Sequence, residues 1–427
     1  MERYGRRAAA AGAVIFMAVL GGCGMQTEQE NSVNPYLAVE GMESTPVVDY
    51  SVPHALPNIL VDARGYMAEC EKRAAVKGHE LPETFRLIDA ETREEVFSGQ
   101  LEKITYNEEL GLYTGIACFD EYITEGTYYL ECDMVGQSYR FGIKDSMYAE
   151  LFREIYDIRM EDCDDRSLTI SDAMALLVAY EWYSEVFPDD NGDQIPDVLK
   201  SLQSWISFME ESEPEAGDAA LYAAFLAKFS YNYQKFDQAY ATDCLRRAST
   251  VYGQLQTALN RDADVFFALA ELYRATGLHT YRNQISDYKS FFENNGSYLE
   301  ENSYLYGTMT YMSTRQRVDV ELCALFMNTL TNRGEEISKR YEDMIHPVAA
   351  RNNGADDLLK SAVELSCANY VLNSYQYTQI TEEFLHYLMG QNAESVCFYP
   401  GTGDQSSYML LFAQLAKTHM KEGEQIM

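Results

Sequence analysis

The sequence predicts two folded parts, a β-sandwich of immunoglobulin type followed by an all-helical domain made of hairpins. Three features predict this order. Short β-rich runs separated by turn residues fill residues 57–145, an apolar period of about 3.6 residues begins at Met147, and Pro or Gly separates the helical stretches. No fixed-period repeat occurs, which argues against tetratricopeptide-type arrays.

Each element is predicted from its pattern and its breakers. Strands are expected near residues 59–61, 73–76, 84–88, 95–97, 112–114, 126–131 and 138–141, where β-rich runs end at Gly, Asp or Asn. Helices are expected at 168–187, 196–211, 217–232, 237–258, 263–276, 316–331, 335–345, 355–374, 378–389 and 405–418.

Residues 1–23 have the layout of a secretory signal. Three arginines precede an apolar run that is too short for a comfortable transmembrane helix, and the run ends in LGGC at Cys23. This ending resembles a bacterial lipobox, whose cysteine accepts a diacylglycerol; a plain signal peptide is the alternative. Residues 24–56 are polar and acidic, so we expect a flexible tether there. The chain is then exported and lipid-anchored to the outer face of the bacterial cell membrane.

Composition excludes some classes of protein. Lys and Arg number 33 against 67 Asp and Glu, a formal net charge of -34, and this acid excess makes a nucleic-acid partner unexpected. Hydrophobic residues make up 47% of the chain, which excludes a largely disordered protein. The nine cysteines form no close-spaced pair and the six histidines are isolated, so their spacing argues against a zinc site.

Several segments resemble one enzyme family along most of the chain. In the first part these segments are 59–66 (ILVDARGY), 72–76 (KRAAV), 124–131 (TEGTYYLE) and 139–143 (YRFGI), which look like the cellulase N-terminal immunoglobulin-like domain. In the second part they are 177–181 (LVAYE), 191–199 (NGDQIPDVL), 268–277 (ALAELYRATG) and 387–392 (YLMGQN), which resemble family 9 glycoside hydrolases.

The resemblance implies an immunoglobulin-like domain at 57–145 and an (α/α)6 barrel of six-hairpin glycosidase type at 146–427. It also implies a β-linked polysaccharide or oligosaccharide as partner, with no cofactor required. The family's inverting hydrolysis uses one carboxylic acid to protonate the leaving oxygen and one carboxylate to activate water. Residues 146–427 are fewer than the family's catalytic domain normally has.

Both catalytic motifs of the family are altered here. Asp162 and Asp165 keep the spacing of the family's Asp-Ala-Gly-Asp base motif, although the glycine is replaced; an acidic loop and helix N-cap is the alternative interpretation. The family's acid is a Glu on the last barrel segment, but no Glu occurs between positions 396 and 420. Asp404 stands near that position, and Glu394 is a non-family alternative.

Two hypotheses on function therefore stay open. The first is a cell-surface lipoprotein with the architecture of a family 9 cellulase whose catalysis is lost or altered, acting in glycan binding or as an envelope scaffold. The second is a divergent inverting hydrolase of endoglucanase type, with Asp162 or Asp165 as base and Asp404 or Glu394 as acid. Whether the chain is an enzyme is undecided between them.

An acidic segment also offers ligands for a structural cation. Asp189, Asn191, Asp193 and Asp197 place oxygen ligands at alternate positions around Gly192, a spacing that can wrap Ca²⁺. The distal bidentate Glu of a full helix-loop-helix site is missing, and an ordinary acidic loop between helices is the alternative.

Overall fold

The computed structural model describes residues 56–108, 110–212, 217–255, 262–341, 354–400 and 405–421. The predicted signal segment, most of the tether, Cys23 and Asp404 lie outside these ranges. Residues Leu56–Met427 belong to one compact unit, so the strands and helices can be described together.

The strands form an immunoglobulin-like sandwich. They are β1 Ile59–Leu60, β2 Tyr66–Met67, β3 Arg73–Gly78, β4 Thr84–Asp89, β5 Glu95–Asn107, β6 Leu112–Cys118, β7 Gly126–Cys132, β8 Gly136–Gln137 and β9 Phe141–Lys144. Neighbouring strands follow the order β1-β3-β6-β5-β4-β7-β9-β2, and β8 pairs with β7. The 13-residue strand β5 pairs with β4 in its first half and with β6 in its second half, so it belongs to both layers.

Alternation along the strands builds the core of the sandwich. In β7, Tyr128, Leu130 and Cys132 are buried while the residues between them are half-exposed. Leu87 in the adjacent strand β4 lies opposite Leu130 and is also buried. The prediction of an immunoglobulin-type sandwich is confirmed, with β2 and β8 as two short strands that the sequence patterns did not indicate.

The chain then forms helices from Met147 onward. They are α1 Met147–Asp164, α2 Ile170–Trp182, α3 Asp197–Ser212, α4 Ala219–Tyr233, α5 Gln238–Gln254, α6 Ala263–Thr276, α7 His279–Asp287, α8 Lys289–Asn294, α9 Asn302–Ser313, α10 Val320–Tyr341, α11 Ala355–Leu372, α12 Thr378–Leu388 and α13 Gln405–His419. Short 3-10 turns lie at Ser184–Val186 and Tyr298–Glu300.

Six of these helices form a closed inner ring. Helices α2, α4, α6, α9, α11 and α13 contact one another in that order, and α13 returns to α2. Inner helices are buried on nearly every side, as in α6, where each residue from Phe266 to Arg274 is buried. An outer helix such as α5 buries one stripe only, formed by Ala241, Cys244, Ala248 and Tyr252. The (α/α)6 barrel implied by the resemblance is confirmed.

Several predicted boundaries differ from the structure: the helix predicted at 168–187 runs over Ile170–Trp182, and the strand predicted at 138–141 runs over Phe141–Lys144. For one of the predicted breaks the structure shows the reason. Helices expected at 316–331 and 335–345 form the single helix α10, although Gly334 was expected to end the first of them. A Cβ at Gly334 would lie about 2.9 Å from the ring of Tyr377, so the glycine permits a close contact instead of ending the helix. Helix α1 and the segments α7 to α9 were not among the expected helices.

The sandwich packs against the outer helix α12 and the loop that follows it. Buried Asp62 contacts His386 at 2.7 Å, and Arg73 pairs with Glu383 at 2.8 Å. The backbone amide of Ala63 donates to the carbonyl of Met389 at 2.9 Å. These contacts fix the β-sandwich on the barrel side formed by α12.

Within the described part of the chain, no helix is long and apolar enough to cross a membrane. The described cysteines, eight in number, are free thiols. Trp205 is buried and donates its indole N–H to the carbonyl of Leu168 at 3.1 Å, so it packs inside the helical domain.

Candidate functional site

The candidate site lies at the end of the ring where the inner helices begin. Connections from outer to inner helices gather at this end, including the one between α1 and α2; Asp162 lies in the last turn of α1 and Asp165 at its C-cap. The resemblance places the family's base before the first inner helix and its acid before the last one. Both positions therefore fall at this end of the ring.

Arg159 links two carboxylates at this end. Its guanidinium lies 3.1 Å from Asp162 on its own helix and 3.1 Å from Asp172 on α2. The other carboxylate oxygen of Asp162 accepts a hydrogen bond from Ser167 at 3.1 Å. Each oxygen of Asp162 thus has a protein partner, and a guanidinium shields the charge that a general base would use.

Asp172 is the better buried of the two carboxylates, with 14% of its side chain exposed. It accepts hydrogen bonds from Thr169 at 2.6 Å and from Ser406 on α13 at 2.8 Å, so it joins the first and last inner helices. The sequence analysis did not single it out. A helix-capping pattern could have pointed to it, with Thr169 at the N-cap and Asp172 three positions later. In the structure the backbone N–H of Asp172 donates to the Thr169 hydroxyl at the start of α2.

The structure separates the other predicted catalytic residues. Asp165 is exposed at the C-cap of α1. The N-cap interpretation of this acidic segment is wrong, because Asp162 lies in the last turn of α1 and Thr169 caps α2. Glu394 is exposed beside Ala393, whose carbonyl faces Lys77 of the sandwich at 3.4 Å.

A third carboxyl group at this end has unusual surroundings. Asp264 lies in the first turn of α6 and accepts a hydrogen bond from Ser303 at the start of α9. Burial raises the pKa of Asp264 above its ordinary value, and the Ser303 hydrogen bond opposes that rise. A half-buried carboxyl with a raised pKa is the kind of group that general acid catalysis uses. No motif in the sequence marks Asp264 as a site residue.

The opposite end of the ring holds a buried ion network. Lys228 lies 2.8 Å from Glu181 and 3.1 Å from Glu271, and Arg274 contacts both carboxylates. Thr310 donates a hydrogen bond to Glu271 at 2.7 Å. Burial would raise the pKa of Glu181, but the two cations hold it well below its ordinary value. Carboxylates paired in this way are poor proton donors, so the network is structural.

The proposed calcium ligands form a loop that already binds its own groups. The carboxylate of Asp189 accepts the amides of Gly192 and Gln194, at 3.1 and 2.8 Å. Lys200 places its ammonium 3.3 Å from Asp193 and closer still to Asp197. A lysine cation therefore stands among the carboxylates that were expected to surround Ca²⁺.

Comparison with protein families settles the ancestry of the helical domain. The model of glycosyl hydrolase family 9 matches residues 184–410, more than half of the chain. The chain belongs to glycosyl hydrolase family 9. The cellulase N-terminal ig-like domain matches residues 54–137. The family 9 match begins after Asp162, Asp165 and Asp172, so the altered base region lies outside it.

Solved family 9 proteins share the fold at low sequence identity. A metagenome-derived family 9 endoglucanase has 17% identity and a TM-score of 0.66, over 81% of this chain and 85% of that chain. A Bacteroides ovatus GH9 protein has 14% identity and a TM-score of 0.64, over 85% and 99%. AaCel9A, solved with a cellobiose-like isofagomine, has 17% identity and a TM-score of 0.59, over 81% and 85%. No curated protein matches the chain significantly.

Proposed function

We propose that this family 9 protein binds β-linked glycans at the end of the barrel where the inner helices begin, without hydrolysing them. The observation that carries the proposal is the Arg159 guanidinium, which pairs with both Asp162 and Asp172. Inverting hydrolysis needs a carboxylate that is free to take a proton from water. A carboxylate paired with Arg159 is poorly suited to that role.

The last inner helix supports the same proposal. Helix α13 begins with Gln405, Ser406 and Ser407, and an amide or hydroxyl is a far weaker acid than a carboxylic acid. Such side chains still donate and accept hydrogen bonds, as sugar hydroxyls require. Family membership and the AaCel9A complex with a cellobiose-like isofagomine support a β-linked oligosaccharide as the ligand class.

The proposal includes attachment to the outer face of the bacterial cell membrane through a lipid on Cys23. The lipobox-like LGGC sequence supports it, and labelling with a radioactive fatty acid that disappears in Cys23→Ala tests it. The barrel would then present its glycan site outside the cell. If no glycan binds there, a role as an envelope scaffold is the remaining alternative.

A structural calcium ion at Asp189–Asp197 also stays a proposal. It requires the Lys200 ammonium to leave the carboxylates that it now contacts. Lys200→Met should therefore increase the affinity for Ca²⁺, measured by calorimetry of the chelator-treated chain. If neither the unmutated chain nor Lys200→Met shows a heat of Ca²⁺ binding, the result would contradict a calcium site in this loop.

Hydrolysis and binding assays on the purified full-length chain decide the function. We expect no release of reducing ends from β-glucans, xyloglucan or chitosan, and retention of at least one of them in a pull-down. Arg159→Met should weaken this retention several-fold, because Asp162 and Asp172 lose the guanidinium that holds both carboxylates in place. Arg153→Met is the matched control, since Arg153 lies on the same helix but pairs with Asp157 at 2.9 Å.

Turnover that disappears in Asp162→Asn/Asp165→Asn, and persists in Asp157→Asn, would overturn the proposal and establish a divergent hydrolase. The variant Asp264→Asn would then test that carboxyl as the acid, because its raised pKa suits proton donation. Absence of both turnover and retention would contradict glycan binding as well.

A further inference from the structure

Three side chains of metal-binding type meet between the sandwich and the helical domain. Cys70 follows strand β2, Glu382 lies on α12, and His419 ends α13. His419 Nε2 lies 2.7 Å from Glu382 Oε1, while Cys70 Sγ lies 3.8 Å from that oxygen and 3.7 Å from His419 Nδ1. Among the residues that the structure describes, no other group of three His, Cys, Asp or Glu side chains is close enough to hold a metal ion.

The ligand set and its spacing suit zinc. Thiolate, imidazole and carboxylate are the groups that bind Zn²⁺ in proteins, at about 2.3, 2.0 and 2.0–2.2 Å. Around a tetrahedral ion these bond lengths separate the sulfur from an oxygen or nitrogen ligand by roughly 3.5 Å. The separations from Cys70 Sγ exceed this value by only a few tenths of an ångström. His419 Nε2 and Glu382 Oε1 are 2.7 Å apart, whereas a nitrogen and an oxygen ligand of one tetrahedral Zn²⁺ are separated by roughly 3.4 Å. Zinc binding therefore replaces this hydrogen bond and moves the two side chains apart by about 0.7 Å.

The surroundings hold two of the ligands in place. Buried Tyr148 on α1 stacks on the ring of His419 with ring centroids 5.4 Å apart. Glu382 is held by its contact with His419 and has only 10% of its side chain exposed. Neighbours that fix the orientation of ligands before the metal arrives are typical of zinc sites.

A buried, inert thiol within a hydrogen-bonded cluster is the competing explanation. In that explanation the Cys70 thiol keeps its proton and donates a hydrogen bond to Glu382 Oε1 at 3.8 Å. Zinc binding releases the proton of a ligating thiol. The two explanations therefore differ in measurable ways, namely metal stoichiometry and proton release.

We propose that Cys70, Glu382 and His419 bind one Zn²⁺ ion that joins the β-sandwich to the barrel. Three protein ligands leave a fourth position for water. The ion cross-links residues that are far apart in the sequence. Because it binds only when the sandwich and the barrel are in contact, zinc binding stabilises the folded state. This site is independent of the proposed glycan function.

Zinc titration of the chelator-treated, full-length chain tests the proposal. We expect one Zn²⁺ per chain, release of protons and a higher melting temperature. Cys70→Ala and His419→Gln should each lower the zinc affinity at least tenfold. Cys118→Ala is the matched control, because that half-buried thiol also contacts a carboxylate, Asp120 at 3.1 Å, but belongs to no metal-binding group among the described residues.

Cobalt substitution of the unmutated chain keeps the test decisive if a variant fails to fold. A Co²⁺ ion bound through Cys70 gives a sulfur-to-cobalt charge-transfer band in the near ultraviolet. Cobalt bound without this band would overturn the proposal, as would absence of zinc binding by the folded chain. Equal zinc affinity in Cys70→Ala and Cys118→Ala would also overturn it.

Discussion

The two ends of the helical ring use their charged residues in opposite ways. At the end where the inner helices finish, Lys228 and Glu271 are almost wholly buried and every charge has a partner of opposite sign. At the end where they begin, Asp162 is 30% exposed and shares one guanidinium with Asp172. Removing one partner from a buried ion network leaves an uncompensated charge, whereas an exposed pair contributes little. Stability should therefore depend on the first end, which leaves the second end free to change for binding.

The strongest test of this contrast is Glu271→Gln. The substitution keeps the size of the side chain but leaves Lys228 and Arg274 with one carboxylate instead of two, and it should lower the free energy of unfolding by about 3–5 kcal/mol. Urea unfolding measures it. Glu185→Gln is the control, because Glu185 forms an exposed pair with Lys417 at 3.3 Å and should matter by less than about 1 kcal/mol. Equal effects of the two substitutions would break the comparison.

The pH dependence of stability sharpens the same contrast. Because the cations Lys228 and Arg274 hold the pKa of Glu181 below its ordinary value, the folded state favours the ionised carboxylate. The stabilisation is complete above the unfolded pKa of about 4.3 and is lost as the pH falls below it. The difference in unfolding free energy between the unmutated chain and Glu181→Gln should be largest at pH 7 and shrink towards pH 3. A difference that stays constant between pH 7 and pH 3 would contradict the stabilisation of the Glu181 carboxylate by these cations.

A smaller effect is expected from Asp172→Asn at the other end. This change weakens one ion pair and the hydrogen bonds from Thr169 and Ser406, so a loss of about 1–2 kcal/mol is expected. Asp357→Asn serves as control, since Asp357 also lies in the first turn of an inner helix but is exposed. Its effect should stay within about 0.5 kcal/mol.

The smallest effect should come from Asp162→Asn. The carboxylate is partly exposed and lies in the last turn of α1, where the helix dipole disfavours a negative charge. The substitution loses the contact with Arg159 but also removes this unfavourable charge at the helix end. The two effects offset each other, so the free energy of unfolding should change by less than about 1 kcal/mol. A loss of several kcal/mol would show that this end is as structural as the opposite one.

Elements with local end signals were predictable from the sequence. Helix α6 was expected at 263–276 and runs over Ala263–Thr276. Asp262 accepts the amides of its first turn, and Gly277 adopts the left-handed conformation after its last residue. Gly334 carries no such role, because its contact with Tyr377 comes from a distant segment that no local pattern reveals.

The charged networks were not predictable in the same way. Glu181, Lys228, Glu271 and Arg274 lie on three different inner helices, and only the ring geometry brings them together. A weak signal does exist, because each of the first three has apolar neighbours within a buried helix, where a charge requires a partner. The sequence does not reveal which residue supplies that partner, because the partner lies on another helix of the ring. The proposed zinc ligands were equally hidden. A search for close-spaced Cys and His finds no zinc site, and Cys70 and His419 are 349 positions apart.

The contact between the sandwich and α12 has a consequence for how the chain is made. Asp62 belongs to the first described loop, yet its partner His386 follows 324 positions later. The sandwich can therefore gain this docking partner only after the chain has been synthesised as far as His386. Contacts of such long sequence separation form slowly, since a long loop must close before they add stability. Until His386 has been synthesised, the carboxylate of Asp62 lacks the partner beside which it is buried in the folded chain.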